Sequence, residues 1–197
     1  MKLRTLQTAN LQAKTVLLKV DYNVPLKTIT GQLTIVDDTR IKLSLPTINY
    51  LIDQNCKSII VSHNGRPDGQ VVKGLKLDPI AKHLSQLLNH PVTKIDACTG
   101  PSVIQAVQAL QPKSILMLEN IRFHPGETSN DPQLAKFLST LADVVVNDAF
   151  SASHRAHASV AGIAKHLTMI AGLHLEKEVK MLSHLLKNPK HPFIIIV

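Results

Sequence analysis

Short aliphatic runs alternate along the chain with longer segments in which apolar residues recur every three or four positions. The runs are three to five residues long, rich in β-branched residues and almost uninterrupted by polar positions. This pattern is typical of strands buried on both faces of a parallel sheet. The predicted strands are 16–20, 58–62, 92–95, 115–118 and 144–146.

Three intervening segments carry apolar residues at helical spacing, so each is predicted to bury one face. They are residues 41–52, 77–88 and 134–141. Strands that alternate with helices form right-handed crossover units, which place helices on both faces of a parallel sheet. The pattern therefore predicts an α/β fold with three layers, a Rossmann-like doubly wound parallel sheet between two layers of helices.

Residues at the helix ends agree with this assignment. Asp38 stands where an N-cap is expected before the first helix. Pro79 and Pro132 fall just inside the starts of the other two helices, where the missing N–H costs little. Pro46 lies inside the first helix, which it is expected to kink or split.

The last part of the chain has a different pattern. Residues 172–188 form one long amphipathic helix pattern, the sequence Asn188-Pro189 ends it, and residues 193–197 begin what resembles another strand. A domain rarely ends on an apolar run without a turn. We therefore expect the chain to be part of a longer protein.

The composition argues against several classes of protein. Apolar residues make up 44% and charged residues 18%, which excludes general disorder. The aliphatic run at the C-terminus is far shorter than the roughly 18 residues of a membrane span. No apolar stretch follows Lys2 and Arg4, so no secretory signal is expected. The two cysteines, Cys56 and Cys98, have no metal-ligand spacing, which favours a reducing, cytoplasmic setting.

The positive charge requires a partner. There are 22 Lys and Arg against 14 Asp and Glu, a net charge of +8. Nucleic acid is one candidate. The chain has no Trp, two Tyr and four Phe, however, so a base-stacking surface would be hard to build. A small, highly anionic ligand is the other candidate, and the positions of the arginines favour it.

Polar and cationic residues follow four of the predicted strands. The carboxyl ends of parallel strands share one edge of a sheet, and ligands bind outside that edge. Arginine suits a phosphate or carboxylate there because its planar fork donates two parallel hydrogen bonds. One arginine in one loop could be chance, but arginines in three loops at one edge favour an anion site. The candidate residues are Asp21, Asn23, Arg40, His63, Arg66, Arg122 and Arg155, with His154 beside the last.

The evidence for other kinds of site, such as a nucleophilic thiol or a nucleotide-binding loop, is weaker. Cys98 lies near Asp96 without an evident base, so a loop or core thiol is the favoured interpretation. Gly65 and Gly100 occur singly, and neither belongs to a P-loop or a dinucleotide glycine fingerprint.

The same loops resemble phosphoglycerate kinases. VDYNVPL is similar to the family's VDFNVPL, DDTRI is shared, and SHNGRP is similar to SHLGRP. LENIRFHPGE resembles LENLRFHPGE, and VNDAFSASHRAHAS resembles VNDAFGTAHRAHAS. These motifs occur in family order and extend over essentially the whole chain, which matches only the N-terminal half of the family's protein.

The resemblance implies phosphoryl transfer between ATP and 3-phosphoglycerate in glycolysis. It implies that Asp21 and Asn23 hold the hydroxyl and carboxylate end of the substrate. Arg40 would face the carboxylate and the transferring phosphoryl group, as the catalytic residue. The implied ligands of the 3-phosphate are His63, Arg66, Arg122 and Arg155.

The resemblance also implies a division of the chain. Residues 1–171 would be the substrate-binding domain, 172–190 an interdomain helix, and 191–197 the first strand of a second domain that binds Mg-ATP or Mg-ADP. This chain would then bind 3-phosphoglycerate without turning over ATP, and no metal or nucleotide site is expected within it. The implied partner is the second domain, in a monomeric protein that binds neither nucleic acid nor membrane. The loss of the family's C-terminal segment should expose an apolar patch, and residues 193–197 should be disordered or pair with a neighbouring chain.

Three positions depart from the family pattern. Tyr22 replaces Phe, Asn64 replaces Leu, and Ser151 replaces a Gly. The last change puts the local loop conformation in doubt, because glycine adopts angles that serine resists. A non-catalytic anion-binding module is the alternative function, and a glycine-rich domain directly after Val197 would decide for the enzyme.

Overall fold

Six parallel strands form the centre of the protein. The computed structural model describes residues 3–29, 31–187, 189 and 191–194. The strand order is β5-β6-β4-β1-β7-β8, and every neighbouring pair is parallel. The strands of this sheet are β1 (Thr15–Lys19), β4 (Lys57–Val61), β5 (Val92–Lys94), β6 (Ile115–Met117), β7 (Val144–Asn147) and β8 (Met169–Ala171).

A separate antiparallel hairpin follows β1. It consists of β2 (Leu26–Ile29) and β3 (Gln32–Ile35), with Leu26 paired to Ile35. The sequence pattern predicts no strand between residues 21 and 37, so this hairpin was missed. The hairpin strands are mostly exposed, so they lack the apolar runs that identify buried strands.

Helices cover both faces of the sheet, as predicted. Alternate strand residues contribute to two separate cores, because successive side chains point to opposite faces. Val16 and Leu18 of β1 lie in one core, with Ile48 of α1 and Leu84 of α2. Leu17 lies in the other core, which α3 and α4 cover. The helices are α1 (Thr39–Asp53), α2 (Asp78–Leu88), α3 (Pro101–Gln108), α4 (Pro132–Ser139) and α5 (Leu173–Lys187).

The start of α1 differs from its prediction. Asp38 occupies the N-cap position, but its carboxylate makes no capping hydrogen bond. It contacts Lys42 at 2.9 Å and His83 at 2.8 Å instead. Asp37 Oδ1 accepts the N–H of Thr39 at 2.8 Å and so satisfies this end of the helix.

Pro46 does not split α1, which is one helix from Thr39 to Asp53. Ile41, before the proline, and Ile48 and Leu51, after it, are buried in the same core. Their burial holds both halves of the helix against the sheet, although the proline cannot donate a backbone hydrogen bond.

The first turn of α5 is attached to the end of β7. Asp148 Oδ1 accepts the N–H groups of His174 at 2.9 Å and Leu175 at 3.1 Å. A carboxylate is favourable there because the N-terminus of a helix carries partial positive charge. Gly172 comes so close that a Cβ would lie 2.2 Å from the same oxygen, so the turn requires glycine. The predicted helix over 172–188 is thus present, and it begins at Leu173.

The strand predicted for 193–197 falls partly outside the described residues, which exclude 195–197. Phe193 and Ile194 are described, belong to no strand and are exposed. Among the helices that the structure describes, none combines the length and apolarity needed to cross a membrane.

Candidate anion-binding site

The loop after β1 forms the first part of the site. Asp21 Oδ2 forms an ion pair with Arg40 Nη1 from the first turn of α1, and it accepts a hydrogen bond from the Ser151 hydroxyl. Asp21 Oδ1 accepts the N–H of Asn23 at 3.0 Å. Burial alone would raise the pKa of Asp21, but these hydrogen bonds and the nearby His63 and Arg40 lower it below its usual value.

This carboxylate borders a cavity of about 250 Å³, here called the Asp21 cavity. The cavity lies between the carboxyl edge of the sheet and the first turns of α1 and α5. Asp21 and Arg40 line it from the β1 side, and His174 and Glu178 line it from α5. It is completed by Val20, Leu43, Ser44, Asp148, Ala149, Phe150 and Ser151.

Asparagine side chains hold the neighbouring loops together. Asn23 Oδ1 accepts the N–H of Gly65 at 2.8 Å. Asn64 Nδ2 donates to the Val24 carbonyl at 2.9 Å, and Asn120 Nδ2 donates to the Asn64 carbonyl at 2.7 Å. These hydrogen bonds, of which the last two are buried, connect the loops after β1, β4 and β6. The asparagine at position 64 therefore makes contacts that a leucine could not make.

Three arginines from different loops line a second cavity of about 170 Å³, here called the arginine pocket. Arg66 follows β4, Arg122 follows β6, and Arg155 follows β7. Arg122 is only 6% exposed, and its Nη1 donates to the Gly65 carbonyl at 2.7 Å. Burial and then the charge of Arg155 lower the pKa of Arg122. Asp68, Gly69, Thr128 and His157 complete the lining.

His63 interacts electrostatically with residues of both cavities. It is 6% exposed and within electrostatic range of both Asp21 and Arg122. Burial, followed by the charges of Lys19 and Arg122, lowers the pKa of His63 far below its usual value. The imidazole is therefore neutral at physiological pH and can share a hydrogen bond with an anion.

A buried ion pair lies beneath the arginine pocket. Lys19 Nζ is 3.8 Å from Glu127 Oε1, and both side chains are at most 2% exposed. Glu127 also accepts hydrogen bonds from the Ser159 hydroxyl at 2.6 Å and its N–H at 2.9 Å. Burial lowers the pKa of Lys19, and the charge of Glu127 opposes that shift. Glu127 thus supplies a negative charge beneath a group of cations.

The structure brings all seven candidate residues to the carboxyl edge of the sheet. Asp21 and Arg40 line the Asp21 cavity, and the other three arginines line the arginine pocket. Asn23 connects two loops, and His63 is buried within electrostatic range of both cavities. Sequence reasoning missed Lys19, Glu127 and His157. Lys19 is a lone charge within a buried strand, and that position was the available signal for a buried pair.

A trio of carboxylates lies elsewhere in the structure. Oxygens of Asp78, Asp96 and Glu119 come within 4.8 Å of one another. Lys94 Nζ lies among them, 3.1 Å from Asp78 and 2.7 Å from Glu119, and is also bonded to Asp96. The lysine ammonium therefore supplies the positive charge of this group.

Cys98 agrees with the expectation of a loop or core thiol. It is half-buried, and burial raises the pKa of its thiol to about 11. Such a thiol keeps its proton at neutral pH and is a poor nucleophile.

Together, these features define a doubly wound α/β protein with a candidate anion-binding site at the carboxyl edge of its parallel sheet. The sequence model of the phosphoglycerate kinase family matches residues 6–197. The chain belongs to the phosphoglycerate kinase family.

Individual relatives agree with this assignment. The chain is 49% identical to the phosphoglycerate kinase of Moorella thermoacetica over 193 residues, which are 98% of this chain and 48% of the relative. The solved phosphoglycerate kinase of Coxiella burnetii is 38% identical with a TM-score of 0.84, and the alignment covers 97% of this chain and 47% of that one. The corresponding structure from Pyrococcus horikoshii is 34% identical with a TM-score of 0.86, covering 96% and 47%. The chain spans about half the length of the relatives it matches.

Proposed function

We propose that this chain is the 3-phosphoglycerate-binding half of a phosphoglycerate kinase. The enzyme transfers a phosphoryl group reversibly between ATP and the carboxylate of 3-phosphoglycerate, a step of glycolysis in the cytoplasm. The observation that carries the proposal is the arginine pocket, where Arg66, Arg122 and Arg155 from three separate loops line one small cavity. Forked guanidinium groups around such a volume suit the oxygens of one phosphate group.

The roles follow from the charge at each position. The arginine pocket and the neutral His63 would hold the 3-phosphate. Asp21 would accept a hydrogen bond from the substrate hydroxyl, and Asn23, beside it, would contact the same end of the substrate.

Arg40 would be the catalytic residue. Its guanidinium is paired with Asp21, and its side chain is 46% exposed, so it borders solvent at the carboxyl edge. There it would neutralise charge on the substrate carboxylate and on the transferring phosphoryl group. Phosphoryl transfer depends on positioning and charge neutralisation rather than on a covalent intermediate.

The magnesium nucleotide is assigned to a second domain outside this chain. The carboxylate trio around Lys94 does not suit Mg²⁺, because an ammonium group already lies among its oxygens. Residues 1–171 would be the substrate domain, 172–190 the interdomain helix, and 191–197 the first strand of the second domain. The far half of α5 supports this division, because its apolar side chains Met181, Leu182, Leu185 and Leu186 are exposed.

Calorimetry and a coupled turnover assay test the proposal. The 197-residue chain should bind 3-phosphoglycerate with an affinity that falls as salt rises, and alone it should not consume ATP. Turnover should appear when the chain is extended by the C-terminal half of a family member. An oligonucleotide of equal charge is the control ligand. Stronger binding to the oligonucleotide would favour a nucleic-acid function, and binding without turnover in the extended protein would favour a non-catalytic anion-binding module.

A further inference from the structure

The hydroxyl of Ser151 makes a contact that the roles above do not use. Ser151 lies in the short 3-10 turn Phe150–Ala152, which follows β7. Its hydroxyl donates a hydrogen bond to Asp21 Oδ2, the oxygen that also pairs with Arg40. The contact joins the loop after β7 to the loop after β1.

Asp21 therefore has few acceptor positions left for a ligand. A carboxylate offers about four such positions, two on each oxygen. Oδ2 receives Arg40 and Ser151, and Oδ1 receives the N–H of Asn23. The Asp21 side chain is only 12% exposed, so a ligand can approach it from few directions. A ligand hydroxyl that approaches Oδ2 therefore competes with the Ser151 hydroxyl for this oxygen.

The backbone does not explain why serine occupies this position. Ser151 lies in a right-handed turn and is not among the described residues with positive φ, so the serine is not strained. The residue is exposed, so its side chain is not needed to fill a core. The contact with Asp21 is what distinguishes serine here from the glycine of the similar family motif.

We propose that Ser151 is a specificity-determining residue that weakens the site's preference for ligands carrying a hydroxyl group next to the carboxylate. This inference rests on the proposed function, because it takes Asp21 as the acceptor of the substrate hydroxyl. A buried acceptor left without a donor penalises a ligand that lacks the hydroxyl. Ser151 supplies a donor when such a ligand binds, and at Oδ2 it competes with the ligand's hydroxyl when a hydroxyl-bearing ligand binds. Both effects bring the two affinities closer together.

The test compares 3-phosphoglycerate with 3-phosphonooxypropanoate, which has the same phosphate and carboxylate but no hydroxyl. Calorimetry gives the ratio of the two dissociation constants for the unchanged chain and for Ser151→Ala. The variant should increase the preference for the hydroxyl-bearing ligand about two- to tenfold, the equivalent of one net hydrogen bond. Ser151→Thr keeps a hydroxyl and should have the same ratio as the unchanged chain.

Ser153→Ala is the matched control. Its hydroxyl lies in the same loop but contacts Asn147 Nδ2 and the Ala149 carbonyl rather than Asp21. This variant should leave the ratio unchanged, and thermal unfolding checks that each variant is folded. An unchanged or smaller preference in Ser151→Ala would overturn the inference alone. If the unchanged chain binds neither ligand, the proposed function fails and this inference fails with it.

Discussion

The Asp21 cavity and the arginine pocket share one edge of the sheet but differ in how their charges are balanced. In the Asp21 cavity, Asp21 and Arg40 neutralise each other, and Ser151 adds a hydrogen bond. In the arginine pocket, three guanidinium groups share a small volume with Asp68 on its wall. Glu127 balances them from below without lining the pocket.

The difference separates two tasks of a binding site. Guanidinium groups that face one another repel, and an anion between them relieves that repulsion. The arginine pocket should therefore contribute most of the affinity for a phosphate. The internally paired Asp21 cavity gains less charge neutralisation from a ligand, so it should contribute orientation and selectivity.

Glu127→Gln should have the largest effect, because it removes the negative charge beneath the arginine pocket. Lys19 would remain buried without its partner, and removing one member of a buried ion pair costs about 3–5 kcal/mol. Urea denaturation measures this loss in the free energy of unfolding. Glu178→Gln makes the same chemical change on α5 and is the control. A loss below about 1 kcal/mol would show that Glu127 does not balance these cations.

Arg122→Ala should weaken 3-phosphoglycerate binding by about 1.5–3 kcal/mol, the usual contribution of hydrogen bonds to a charged group. Calorimetry at constant ionic strength measures the change. Lys14→Ala removes one positive charge from an exposed position directly before β1, at the amino edge of the sheet, and serves as the control. If both variants lose the same affinity, the net charge of the chain explains binding and the arginine pocket does not.

Four strands of the central sheet, β1, β4, β6 and β7, could be predicted because they are buried on both faces. Residues 16–20 are aliphatic apart from Lys19, and burial of this kind leaves a direct trace in the sequence. The ends of these predicted strands differ from the observed ends by at most one residue. The helix α3 and the strand β8 were missed. Val103 is the one buried residue of α3, so that helix shows no apolar stripe. β8 has one β-branched residue, Ile170, between Met169 and Ala171, so it lacks the composition typical of a strand.

The strand topology alone predicts that the candidate site residues lie close together. Parallel strands end at one edge, so polar residues after each strand meet there without any knowledge of their distances. The Lys19–Glu127 pair could not be predicted in this way. Its two members are distant in sequence, and whether a charge is buried depends on packing that local patterns do not encode. The role of Asn64 between two loops depends on backbone positions and could not be predicted either.

The pH dependence of the free energy of unfolding tests the role of His63, which interacts electrostatically with residues of both cavities. Its pKa is lowered in the folded protein, chiefly by burial and then by Lys19 and Arg122. Below about pH 6.5 the unfolded chain takes up a proton at this imidazole that the folded chain does not. His63 should therefore make the free energy of unfolding fall by up to about 1.4 kcal/mol per pH unit as pH decreases from that point.

His63→Gln should remove this contribution, so its unfolding free energy should fall less steeply between about pH 6 and pH 4.5. Urea denaturation at several pH values measures the slope, and His166→Gln, at an exposed position, is the control. Asp21, whose pKa is lowered partly by His63, titrates below this pH range, and the other carboxylates contribute equally to the slopes of the original chain and both variants. The difference in slope therefore isolates the imidazole. Because a bound phosphate places negative charge beside His63, saturating phosphate should make the slope of the original chain less steep. An identical slope in His63→Gln would mean that His63 can be protonated without loss of stability. The imidazole would then not couple the charges of the two cavities.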